Sequence, residues 1–433
     1  MSELGKIANE VQRETNGIAD LTAFLKKAPT AYQAVSALAE ELKRAGATEL
    51  TETEKWELAP DRYYFVKRND SAMMAFYVPR EAGPFRVYAA HGDSPAYKIK
   101  ENPEITVEGK YIRLNTERYG GMIAYSWFDR PLSVAGRVIV RSNGKLVSVP
   151  VNVDRDLLLI PSVAIHMTRD DNDAMKFNPQ NDLLPLFGEA NQSGKFMKIV
   201  AEAAKVDAAD IVGHDLYLYI REEARVWGAD NEFFSGPHID DLECVLAGFR
   251  GFMAAEKRRN ISVLAVFDNE EVGSSTRQGA ASTFLSDTLD RISAAIGDTR
   301  EDYLRRIAGS FMASADNGHA VHPNHPEKTD PTNRPVLNGG VLLKYSANQR
   351  YTTDGLSAAI FKEICRRNDV PFQIYFNRSD MLGGSTLGNL SVLQVPFATA
   401  DIGLAELSMH SVYETAGVRD YDAMVRFAKG LFE

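Results

Sequence analysis

The sequence predicts an α/β fold: a mostly parallel central sheet with helices on both faces, interrupted by a β-rich insertion domain. Three observations carry that expectation. Helical segments alternate with short continuous apolar runs near both ends of the chain, and a long middle stretch has the texture of strand and turn. The 433 residues also exceed the ~250 to 300 at which a single core stops growing. The expected division is 1–100 and 238–433 for the two parts of an α/β catalytic domain, with 101–237 as the insertion.

From Ile18 to Gly46 the texture is helical, because Val35, Leu38 and Leu42 share one helical face and Gly46 is placed to end the run. A strand should follow. Phe85 to Ala90, FRVYAA, stops at His91-Gly92-Asp93 and reads as a buried strand with a polar tip. In the middle stretch, VIVRSNGKLVSVPV holds Asn143-Gly144 between alternating segments, a strong hairpin signal. After Asp240 the helix-strand alternation returns: Leu242, Val245, Leu246 and Phe249 fall on one helical face, and Ile261 to Phe267 is another buried strand. Ligands of such sheets sit beyond the carboxyl ends of the strands, which is where this chain places its unusual polar residues.

Composition narrows the function classes. Apolar residues make up 44% and charged residues 25%, which excludes a disordered or low-complexity chain. With 49 basic and 59 acidic residues the net charge is −10, a sign that disfavours nucleic acid and anionic membrane surfaces as partners. Cys244 and Cys365 are too few for a disulfide framework or a thiolate zinc site, and a reducing compartment fits. The opening MSELGKIANEVQRETNG lacks an apolar core behind a basic start, and no run approaches the ~20 apolar residues of a membrane span, so a cytoplasmic protein is expected.

Several clusters have chemical potential. His91 and Asp93, two apart on an extended chain, point the same way, so the carboxylate can orient a metal-binding imidazole, although on this pattern alone a polar turn is the better explanation. Asp268, Glu270 and Glu271 crowd three carboxylates at a strand end, where a divalent metal site with a neighbouring base requires them and a solvated turn tolerates them. Asp240 and Glu243 have the spacing of a capping box, which is sufficient explanation by itself. In SADNGHAVHPNHPEK, Asp316 precedes His319, His322 and His325, but Pro323 and Pro326 prevent one helix from presenting three imidazoles. His410 stands alone in AELSMHSVYE. The glycines of DMLGGSTLGN match neither a phosphate loop nor a dinucleotide fingerprint, and no Gly-x-Ser-x-Gly elbow is present.

Taken together, AAHGDSPAYKIK, RYGGMIAYSWFDRPLSVAGRV, PHIDDLE, FDNEEVGSSTRQGA, SADNGHAVHPN, LKYSANQRYTT and MHSVYETAG resemble, in order, the signatures of the M18 metalloaminopeptidases, the aspartyl aminopeptidase group. The resemblance implies two divalent metal ions, zinc first and manganese or cobalt next. His91 and Glu271 would be terminal ligands, Asp240 a bridge, and Asp316 and His410 the rest of the shell. Glu270 would be the general base and Asp93 would orient His91. It also implies release of an N-terminal residue, preferentially Asp or Glu, from peptides with a free N-terminus. Lys344 would face the first side chain, Tyr351 would polarise the scissile carbonyl, and His166 would reach a neighbouring subunit's site in a dimer-based tetrahedral dodecamer. Two alternatives stand beside it: a two-metal hydrolase of N-acyl amino acids, and an inactive self-assembling shell or cargo protein. The chain departs from the family pattern at Ala28-Pro-Thr-Ala31 with Gln33, and at Asn317-Gly318.

Overall fold

The computed structural model describes residues 17–168 and 176–433. Residues 1–16, which carry the expectation of no leader, and the end of the VAIHMTRD motif lie outside the described residues. The chain forms two compact units: one runs up to Asp93 and adds Ala224–Met409 and Glu414–Glu433, the other comprises Ser94–Glu223 and His410–Tyr413. The change of texture along the sequence placed the junctions at 100/101 and 237/238. The earlier junctions follow from pairing: all of the strand Ala96–Val107 joins the second unit's sheet, while Phe233–Gly236 pairs with Glu414–Gly417 of the first.

The first unit is built on a nine-stranded sheet. At its centre Asn260–Phe267, Gly83–His91, Phe311–Ala315 and Ala398–Gly403 lie side by side, all parallel. Antiparallel pairings flank them, Ala72–Val78 on one side and Val341–Tyr345 on the other, so the sheet is mixed with a parallel centre. Alternate residues of each central strand enter different cores, as the two-residue period of a strand demands. Tyr88, Ala90, Leu264 and Val266 meet helices 17–27, Ala31–Arg44, Ile239–Ala254, Gly355–Arg367 and Val418–Phe432. Val87, Ala89, Val263 and Ala265 meet Phe284–Ala295 and Arg300–Ala308. Helices therefore cover both faces. The expected long helix from Ile18 is two helices, interrupted at residues 28–30, and Gly46 follows the second at φ 84°.

Helix Ile239–Ala254 is buried on nearly every side, including Leu242, Val245, Leu246 and Phe249. Gly248 permits that depth, because a Cβ there would lie 2.3 Å from the Tyr88 ring.

The second unit is a six-stranded antiparallel sheet with the helix Phe196–Ala204, whose Phe196 and Val200 join its core. Asn143 and Gly144 make the two-residue turn between Leu132–Ser142 and Lys145–Asn152, with φ 50° and 75° and Ser142 paired to Lys145. That positive φ at both positions is the reason Asn-Gly signals a hairpin. Among the described residues no helix is long and apolar enough to cross a membrane.

Because Phe249 is fully buried, Phe249→Ala should cost ~3 to 5 kcal/mol in urea unfolding. A loss below ~1 kcal/mol would contradict its place in the core.

Candidate metal centre

The parallel register sets Phe267 beside His91 and Ser314 beside Ala89, so the segments leaving three adjacent strands emerge together. They carry His91 to Asp93, Asp268 to Glu271, and Asp316. His91 is 1% exposed. Its main-chain N–H donates to Asp241 Oδ2 at 3.2 Å, and its Nδ1 lies 3.0 Å from the Asp93 carbonyl oxygen and 3.4 Å from Asp93 Oδ1. The nearer partner of the imidazole is thus the Asp93 main chain, not the carboxylate named from the sequence. Nδ1–H donating to a carbonyl leaves the Nε2 lone pair available, and Nε2 sits 3.4 Å from Asp240 Oδ1. The Asp93 carboxylate accepts from the N–H groups of Glu270 at 3.1 Å and Glu271 at 3.2 Å, shaping the short 3₁₀ turn Glu270–Val272.

Asp240 is not a cap. The residue preceding the helix is His238, at φ 59° and without a side-chain cap, and Asp240 itself has φ −77° and ψ 109°, outside the helical region. The Asp240 N–H donates to Glu414 Oε2 at 3.1 Å, so the donor that a capping box would satisfy with Glu243 is already taken. The Asp240–Asp241 peptide is cis. A true capping box does form elsewhere, between Thr299 and Asp302.

Side chains from these segments converge. Ligand atoms of His91, Glu270 and Glu271 lie within 4.8 Å of one another, as do those of His91, Asp240 and Asp316, and Asp240 meets Glu271 within the same distance. Lys344 Nζ lies 3.3 Å from Asp316 Oδ1 and donates to the Asn317 carbonyl at 2.6 Å. Burial pushes Glu270 up to about 8, with His91 pulling it down and Asp316 and Asp93 pushing it further. Burial and the neighbouring Asp240 raise Glu271 well above the carboxylate range. Burial also raises Asp316, and Lys344 offsets this only in part. For His91 burial opposes the charge, yet Asp240 and Asp93 more than reverse it and hold the imidazole well above its ordinary value. Carboxylates therefore outnumber the cations that face them. An imidazole with several carboxylates and no thiolate is a donor set for a divalent ion such as zinc, manganese or cobalt. Cys244 does not join it: burial holds its thiol well above the ordinary value, and Sγ bonds Asn317 Oδ1 at 3.1 Å.

The other expected residues fall as follows. His410 is half-buried at φ 66° in the segment His410–Tyr413 of the second unit, where its carbonyl accepts from the Ile123 N–H at 2.9 Å. Lys344 is 1% exposed, and its ammonium also stands 5.4 Å over the Tyr351 ring, which is buried against Tyr375. His166 is exposed on the short turn Ile165–Met167 of the second unit. His322 and His325 face each other in an exposed loop, their ring centres 5.3 Å apart, and among the described residues no metal-holding group includes them. Three contributors escaped sequence reasoning. Asp241 holds the His91 main chain, Glu414 holds that of Asp240, and the buried Asn317 amide donates to Glu406 Oε2 at 3.2 Å. Only Asp241 had a local signal, as the second acid of an Asp-Asp pair.

A family model described as aminopeptidase I zinc metalloprotease, M18, matches residues 24–432. The chain belongs to the M18 aminopeptidase family. It is a metal-dependent aminopeptidase, a hydrolase. This M18 chain is similar to a probable M18 family aminopeptidase 2 of Clostridium acetobutylicum, 44% identical over 412 residues that cover 93% of this chain and 95% of the relative. Its fold is similar to a chain in the cryo-EM structure of the Ape4 and Nbr1 complex, with TM-score 0.94 and 33% identity, covering 97% of this chain and 86% of that one. The S. cerevisiae mApe1 dodecamer gives TM-score 0.85 and 27% identity, with 97% of each chain covered.

Metal removal should expose the charge imbalance. Glu270 and His91 both bind a proton more tightly in the folded chain than in the unfolded one, so the metal-free protein loses stability as pH rises. For Glu270 the window runs from 4.5 to about 8, and for His91 the loss begins above 6.5. Chelator-treated protein should lose more than ~1 kcal/mol between about pH 5 and about pH 8 in denaturant unfolding. Added zinc should restore more stability at the upper pH than at the lower. Equal restoration at both would contradict the assignment.

Proposed function

We propose that this chain releases the N-terminal residue from peptides bearing a free amine, using water activated at a two-cation centre. The observation that carries the reading is that Asp240 offers ligand atoms within 4.8 Å both of those of His91 and Asp316 and of those of Glu271, as a carboxylate shared by two ions would. His91 and Glu271 are the proposed terminal ligands, and Asp316 and His410 complete the set, His410 on the strength of its place in the family motif. Zinc is the proposed metal, with manganese or cobalt able to substitute.

Bound there, the cations supply Lewis acidity and lower the pKa of a water. Glu270 takes the proton of the attacking water and passes it to the leaving amine as the new C–O bond forms and the C–N bond breaks. Its buried setting, which raises its proton affinity, suits a group that must hold a proton between the two steps. Asp93 keeps His91 and the Glu270 turn in register by bonding both. Tyr351 is proposed to polarise the scissile carbonyl, and Lys344 to favour an acidic first side chain. For Lys344 the reading requires a substrate carboxylate to share an ammonium that Asp316 and the Asn317 carbonyl already engage.

For assembly, the S. cerevisiae relative is a dodecamer. We extend this to a dimer-based tetrahedral dodecamer here, with the second unit, Ser94–Glu223, as the assembly region and His166 reaching a neighbour's site. Light scattering should give a twelve-chain particle, and a stable monomer would contradict the extension.

Glu270→Gln should keep its metal content and lose ~10²- to 10⁴-fold in turnover; undiminished turnover would overturn the base assignment. N-acetylated peptides should resist cleavage. Across aminoacyl substrates Asp and Glu should lead, and a preference for Lys or Leu would remove Lys344 from its role.

A further inference from the structure

We propose that Asp401 is a positioning residue for the substrate side of this site, a buried clamp holding the loop that carries Tyr351 and the glycine-rich segment 380–389 to one strand. The inference rests on the reading that Tyr351 lies against substrate. It assigns a place to DMLGGSTLGN, which no nucleotide-binding pattern explains.

Asp401 is fully buried in the strand Ala398–Gly403, directly across from Lys344 of the antiparallel strand Val341–Tyr345. Its two oxygens are divided between two segments. Oδ2 accepts from the Thr352 N–H and, at 2.7 Å, from the Thr352 hydroxyl. Oδ1 accepts from the Thr386 hydroxyl at 2.6 Å. The Asp401 N–H in turn donates to Thr353 Oγ1 at 2.8 Å. A Cβ on Gly388 would lie 2.6 Å from Oδ1, so the glycine-rich segment packs directly on the carboxylate.

The chemistry is unusual for a residue that only fills space. A buried carboxylate is costly, and an apolar side chain of similar volume often packs as well or better. The facing ammonium of Lys344 does not compensate it by contact, since its Nζ is directed at Asp316 and the Asn317 carbonyl. Hydroxyl and amide donors meet the Asp401 charge instead, and such charge-assisted bonds are short and directional. Through them one side chain fixes the residue after Tyr351 relative to Thr386. A carboxylate with two acceptor oxygens can hold two segments at once, whereas an amide in its place offers one acceptor oxygen, and its NH2 either meets the Thr352 N–H with the wrong polarity or obliges the Thr386 hydroxyl to turn round and accept.

The test uses the full-length, metal-loaded protein with Asp401→Asn, with Thr352→Val and Thr386→Val, and with the hydroxyl-retaining Thr352→Ser and Thr386→Ser. Asp401→Asn and the Val variants should keep wild-type metal content and raise KM about ten-fold, with a smaller fall in kcat, while the Ser variants stay within about two-fold of wild type. Proteolytic cleavage within 380–389 should accelerate in Asp401→Asn and Thr386→Val and not in Thr386→Ser. Unchanged KM and cleavage in folded Asp401→Asn would overturn the proposal. Loss of metal from it would do so too, because Asp401 would then belong to the support of the ions. Should Asp401→Asn fail to fold, the contrast between Thr386→Val and Thr386→Ser decides the question, and equal behaviour of that pair counts against the clamp. Cleavage reports on the clamp whether or not the wild type releases amino acids, so failure of the clamp and failure of the aminopeptidase reading are separable.

Discussion

The constraint on which the first unit depends is negative charge gathered out of water. His91, Asp240, Glu270, Glu271 and Asp316 are brought within a few ångströms, and burial raises the proton affinity of the carboxyl groups at 270, 271 and 316. Such a cluster has two ways to exist: it takes up protons, or it takes up cations. The first is inert, because protonated acids neither ligate nor act as a base. The second leaves the carboxylates free to ligate and would set a Lewis acid beside the buried Glu270. The sheet makes the choice available, since only adjacent parallel strands deliver their carboxyl ends, and the loops after them, to one edge.

Around this cluster the supports are main-chain contacts more than ion pairs. The Asp93 carbonyl turns the His91 ring, its carboxylate shapes the turn of Glu270, Asp241 holds the His91 amide and Glu414 the Asp240 amide. Each places a ligand candidate without neutralising it, leaving the charge for an ion. Lys344 is the exception, and its contact with Asp316 links the candidate metal centre to the row of Lys344 and Asp401 on neighbouring strands.

Much of this was legible in the sequence, for physical reasons that differ by element. The apolar runs ending at His91 and Phe267 announced strand ends because full burial on both faces needs continuous apolar side chains, and Asn143-Gly144 announced its hairpin because the turn needs positive φ twice. Asp240 was misleading locally. Its spacing to Glu243 fits a cap, but the deciding contact comes from Glu414, far along the chain. The carbonyl of Asp93 outranks its carboxylate only by 3.0 against 3.4 Å, which no spacing rule resolves. Asp401 was invisible for a similar reason, since its donors sit at Thr352 and Thr386 and become neighbours only when two loops meet one strand.

The most direct measurement is anomalous X-ray scattering at the zinc edge from crystals of the zinc-loaded protein. The account predicts two peaks, both contacted by the Asp240 carboxylate, with His91 and Glu271 on opposite sides and Glu270 bound to neither ion. A single peak, or ions held by Glu270 in place of Glu271, would contradict it.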